Sequence, residues 1–144
     1  MTPVIVEEHI NASVESVWNA ITDLETMKLW YFENIDQFKP EVGTRSKFEV
    51  NAGERIFTHL WEVTEVHPLK LIAYNWRYAE YPGDSVVTFQ LWDEDGVGVT
   101  KLRLTAEFID DFPAEIPEFK RESCEAGWRY FIQQRLKNFL ELNR

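Results

Sequence analysis

Three histidines, one cysteine and 25 acidic side chains are the groups in this 144-residue sequence that could carry chemistry. His9, His59 and His67 fall at no metal-ligand spacing, and Cys124 has no C-x-x-C partner, so neither a metal site nor a cofactor is expected. His59 and His67 sit in one extended stretch, with His67 directly before Pro68, and read as exposed or edge positions. Cys124 lies on an apolar helical stripe with no basic residue aimed at it, and Ser123 lacks a defined base. Nucleophilic catalysis is therefore not expected. The carboxylates of Glu7-Glu8, Asp93-Glu94-Asp95 and Asp110-Asp111 read as solvated edges and turns. Glu8 differs, because it shares strand parity with Val6 and Ile10. If that face is buried, its carboxylate would enter the interior with a raised pKa and could act as a general base.

Composition narrows the partners. The formal net charge of −10, with Lys and Arg scattered, repels phosphate backbones and argues against nucleic acid. No run of about 18 apolar residues exists, so membrane insertion is not expected. The opening MTPVIVEEHI lacks the basic start and cleavage pattern of a secretory leader, and the lone cysteine fits a reducing compartment. A cytoplasmic location follows as the expectation. Aromatic residues make up 15% of the chain, including six tryptophans and ten phenylalanines, which is more than a core this size requires. Some of those rings could line a cavity.

The elements that would position these groups form one unit, residues 1–144, with no repeat or linker. Val4 to Ile10 reads as a strand, ending where Ser13 can cap a helix. Val14, Val17, Trp18 and Ile21 recur at helical spacing, and Asp23 can cap a second short helix, Leu24 to Leu29, ending at Trp30. The period then changes to two. Lys47 to Val50 and Phe57 to Val66 read as a hairpin, followed by Leu71 to Arg77 with Ile72, Tyr74 and Trp76 on one face. Val87, Phe89 and Leu91 share a face, as do Thr100, Leu102, Leu104, Ala106 and Phe108, so these two strands should pair antiparallel. Arg121 to Leu142 closes the chain as a helix about 33 Å long. Its apolar stripe comprises Cys124, Trp128, Phe131, Ile132, Leu136, Phe139 and Leu140. Gly127 interrupts this helix at a cost of about 1 kcal/mol relative to alanine, so a close approach there, or a swing of the Trp128 indole, is expected. Burying every apolar face calls for an α+β fold in which a curved antiparallel sheet wraps around the last helix.

Four segments carry a resemblance to a known family. They are Ile10-Asn11-Ala12-Ser13 with Val17 to Thr22 and Trp30; Val63 to Pro68 with Leu71, Tyr74 and Trp76; Val87 to Leu91 with Thr100 to Leu104; and Gly127-Trp128 with Leu136 to Glu141. In this order they resemble the AHSA-type group, homologues of the activator of the heat-shock chaperone ATPase, within the START-like or SRPBCC superfamily. The resemblance implies the helix-grip fold shared with the birch-pollen allergen, and a cavity between sheet and long helix that relatives use for hydrophobic small molecules. It departs from the family at Trp61, where a glycine is frequent, and near Ala106, where a histidine is frequent. The implied architecture would turn Trp30, Phe32, Phe48, Phe57, Trp61, Tyr74, Trp76 and Trp128 inward, as walls of a void of about 300–1,000 Å³ or as plain core. Three functions stay open. One is binding of a small hydrophobic or aromatic molecule; another is a cyclase- or aromatase-type enzyme, which needs a buried Glu, His or Asp beside the cavity. The third is a chaperone-associated protein, with a homodimer through a sheet edge or helix as one form.

Overall fold

The period-two patterning of the extended segments produces one antiparallel sheet. In the computed structural model, which describes residues 1–94 and 96–142, the strands are β1 (Val4–Ile10), β2 (Arg45–Ala52), β3 (Arg55–His67), β4 (Leu71–Tyr78), β5 (Asp84–Glu94) and β6 (Val99–Asp110). Their spatial order is β1-β6-β5-β4-β3-β2. The chain therefore runs as a meander from β2 to β6 and closes by laying β6 against β1, with Val4 opposite Ala106 and Ile10 opposite Thr100. A bulge between Val63 and Glu65 bends β3, increasing the twist that lets the sheet curl. At the β2–β3 turn Gly53 takes φ +67°, a left-handed conformation that glycine adopts without strain.

Between β1 and β2 lie two short helices, α1 (Val14–Thr22) and α2 (Leu24–Trp30). Both start where their capping side chains predict. Ser13 Oγ accepts from the Ser16 N–H at 3.1 Å, and an Asp23 carboxylate oxygen accepts from the Thr26 N–H at 3.1 Å. Each cap satisfies a backbone donor that the first turn leaves unpaired. Val17, Ala20, Ile21 and Met27 are buried beneath them.

The terminal helix, α3, covers residues 121–142 in three parts: Arg121–Arg129 is α-helical, Tyr130–Leu136 is wider π-helix, and Lys137–Leu142 is α-helical again. Its most buried side chains, Trp128, Ile132, Leu136 and Leu140, recur in steps of four. In a regular α-helix such steps drift by about 40° each. The π segment takes more residues per turn, so the stripe stays aligned on the sheet. Polar ties hold the helix at both ends. Arg121 donates to the Pro3 carbonyl (2.9 Å), Arg135 to the Leu29 carbonyl (2.9 Å), and the Glu141 carboxylate accepts from the Asn11 N–H (2.9 Å). Glu8 is partly buried and pairs with Lys137 on this helix at 3.1 Å. The carboxylate that sequence parity directs inward is thus held in an ion pair between β1 and α3.

Candidate ligand-binding site

Between the first half of α3 and the middle of the sheet lies a partly open cavity of about 320 Å³. The helix contributes Ser123, Cys124, Gly127, Trp128 and Phe131 to its wall. The sheet contributes Phe57 and His59 from β3, Trp76 and Tyr78 from β4, Ser85 and Val87 from β5, and Ala106 and Phe108 from β6. Phe32 closes it from the end of α2, and Phe112 and Phe119 from the loop before α3. The wall is mostly ring and aliphatic carbon. Its only charged side chain among the described residues, Glu118, has the Arg55 guanidinium 3.4 Å away.

Of the eight rings expected to face a void, Phe32, Phe57, Trp76 and Trp128 lie on this wall. Trp30, Phe48, Trp61 and Tyr74 lie in packed core instead. The physical reason is Tyr31. Positioned by the end of α2, its ring inserts into the concave centre of the sheet and touches Trp30 at 4.5 Å, Phe131 at 5.1 Å and Trp61 at 5.5 Å between centroids. Its hydroxyl shares a hydrogen bond with that of Tyr74 at 2.9 Å, and burial raises the pKa of both phenols. The Trp30 N–H donates to the Ala20 carbonyl at 2.7 Å, fixing that indole beneath α1. Trp61 packs 4.8 Å from Tyr74 and 5.1 Å from Trp76, and its buried N–H meets no acceptor among the described residues. The Trp61 indole thus fills the middle of the sheet. The open space lies toward the Phe112 and Phe119 end.

Gly127 occupies a different setting from the one its sequence context suggests. A methyl group built on it would meet nothing within 4 Å. Among the described residues no neighbour from another element presses on the helix there, and Gly127 borders the void.

His59 is the principal correction. Only 5% exposed, it is buried on the inner face of β3, in phase with Phe57 and Trp61, whereas His67 is exposed as expected. Its ring stacks on Phe48 (4.7 Å, 15°) and meets Trp76 and Tyr78 edge-on at 5.2 and 5.0 Å. The Nδ1 atom lies 2.9 Å from the Phe57 carbonyl. A carbonyl only accepts, so Nδ1 carries the proton and Nε2 of the neutral ring is an acceptor. Burial outweighs this hydrogen bond and the attraction of Glu80, holding the His59 pKa down at about 4. Opposite His59 on β4, Tyr78 accepts a hydrogen bond from the Trp76 N–H at 2.8 Å. Cys124 is partly buried on the wall, and burial raises its thiol pKa. His59, Tyr78 and Ser85 were absent from the expected site, although His59 shares strand parity with Phe57 and Trp61, Tyr78 with Tyr74 and Trp76, and Ser85 with the inward-facing Val87. Among the described residues no cluster of three or more His, Cys, Asp or Glu could hold a metal ion, and no helix is long and apolar enough to cross a membrane.

A curved six-stranded antiparallel sheet gripping a long terminal helix, with an apolar cavity between them, defines a helix-grip protein of the START-like type. The chain belongs to the family described as Activator of Hsp90 ATPase homolog 1-like protein, whose profile matches residues 11–141. Solved structures agree on the fold. Protein MLL2253 from Mesorhizobium loti is 28% identical, with a TM-score of 0.77 over 99% of this chain and 98% of that one. The Aha1 protein from Colwellia psychrerythraea, solved as a dimer, is 24% identical, with a TM-score of 0.76 over 100% and 99%. DynU16, described as a putative protein in the dynemicin biosynthetic locus, is 21% identical, with a TM-score of 0.76 over 100% of this chain and 49% of that one. No curated protein matches the chain.

Proposed function

We propose that this protein binds a small, uncharged, apolar or aromatic molecule in the cavity between α3 and the sheet. The observation that carries the reading is the cavity of about 320 Å³, walled by rings and left open on the helix side by Gly127. That volume falls at the lower end of the range typical of small-molecule sites. Its polar groups are neutral hydroxyls and a neutral imidazole, apart from the Glu118–Arg55 pair, which favours an uncharged occupant.

Cys124, the chain's single cysteine, supplies a direct assay because its thiol lies on the cavity wall. A fluorescent hydrophobic probe should slow alkylation of Cys124 in proportion to occupancy. Gly127→Leu, which places a side chain in the empty space, should lower probe affinity at least about tenfold while leaving the protein folded. Probe binding unchanged by this substitution would refute the assignment.

A second reading is supported by His59 alone. A cyclase-type enzyme needs a buried acid or base beside an apolar cavity, and the neutral imidazole meets that requirement. Turnover of a polyketide-like β-diketone, lost in His59→Phe, would favour this reading over simple binding.

A further inference from the structure

Building on the reading that the cavity holds a small molecule, we infer that the site selects an apolar molecule carrying a neutral hydroxyl group, which donates to His59 Nε2 and accepts from the Tyr78 hydroxyl. The Phe57 carbonyl fixes the imidazole tautomer, so in the neutral ring Nε2 presents a lone pair. Among the described residues no protein donor reaches Nε2. The Tyr78 oxygen already receives the Trp76 N–H at 2.8 Å, and its own proton has no protein acceptor among those residues. The polar ends of this pair of wall residues therefore comprise one acceptor and one donor.

The two rings are directly opposed across β3 and β4, with centroids 5.0 Å apart, and both line the cavity. A hydroxyl group is the simplest function that answers both, since one oxygen donates and accepts. An ether or ester oxygen would satisfy Tyr78 and leave Nε2 facing it, lone pair to lone pair. A hydrocarbon would leave both groups unpaired in a site from which it has displaced water, and a carboxylate would face the imidazole lone pair. The surrounding rings of Phe32, Phe57 and Trp128 supply apolar surface for the body of the molecule. Specificity then falls on the polar pair, because a site built to hydrogen-bond a hydroxyl discriminates strongly against an analogue that lacks it.

The test compares naphthalene, 2-methoxynaphthalene and 2-naphthol at pH 7, each scored by the concentration that half-protects Cys124 of the wild-type protein from alkylation. The methoxy compound adds apolar area, so without selection by a donor it should bind at least as well as the naphthol. We expect 2-naphthol to bind about tenfold tighter, equivalent to about 1.4 kcal/mol. His59→Phe should abolish that preference, and Tyr78→Phe should reduce it. Equal protection by the three compounds would overturn this inference and leave the cavity reading standing. Failure of all three to protect Cys124 would overturn both. The wild-type comparison decides the matter even if His59→Phe folds poorly.

Discussion

Replacing His59 by phenylalanine should remove a specific acid sensitivity from the fold. In the unfolded chain this imidazole takes up a proton near its ordinary pKa of 6.5, whereas burial delays protonation in the folded protein to about pH 4. Between those values the unfolded state binds more protons, so acid favours unfolding. The stability associated with neutral, buried His59 is complete above about pH 6.5. It falls by about 1.4 kcal/mol per pH unit below that and levels off near pH 4, a total of about 3 kcal/mol. At pH 5 the loss should be about 2 kcal/mol. Urea unfolding followed by tryptophan fluorescence at several pH values between 7.5 and 4.5 measures it. The substitution also perturbs the stack on Phe48, but that offset does not depend on pH, so the diagnostic quantity is the difference in slope. Glu80 attracts the imidazolium and Tyr78 packs against the ring, and both remain in the variant. Wild-type and His59→Phe proteins losing stability in parallel would refute the claim that this ring is buried and neutral.

Two further predictions concern packing. Gly127→Ala should stabilise the protein by up to about 1 kcal/mol, because helix propensity improves and the added methyl meets no atom within 4 Å; thermal or urea unfolding checks the sign. Tyr31→Phe and Tyr74→Phe should each cost about 1–3 kcal/mol by stranding the partner hydroxyl in the core. The double variant should cost less than the sum, and a double-mutant cycle with no coupling would show that the hydroxyls do not pair.

Features set by local chemistry were legible in the sequence. The Ser13 and Asp23 caps, the alternation along β5 and β6 and the stripe on α3 all depend on neighbours within a few residues. His59 was also within reach, since positions 57, 59 and 61 alternate inward together; residue type suggested an edge, and parity decided otherwise. What strand parity does not carry is the difference between a ring on a cavity wall and a ring in filled core. Tyr74 and Trp76 share one face of β4, yet Tyr31 arrives from α2 to cover the first, while the second borders open space. That distinction arises from a contact more than forty residues away in the chain. Gly127 shows the same limit, because a glycine facing a void and a glycine pressed by a neighbour look identical in sequence. The π segment is a third case: steps of four mark the buried stripe, but the widening that keeps it aligned is a response to the sheet beneath.

The pairing of β1 with β6 bears on how the molecule assembles. Val4 to Ile10 must find partners about ninety to one hundred residues further along, after every other strand has been made. Closing so long a loop costs entropy before any contact compensates, which slows folding relative to topologies built from local contacts. Because α3 rests on β1 and is tied to Pro3, Glu8 and Asn11, the helix has no complete seat until that strand has docked. The cavity is accordingly a late product of folding, and a hydrophobic guest meets its complete wall only after β1 and α3 have come together.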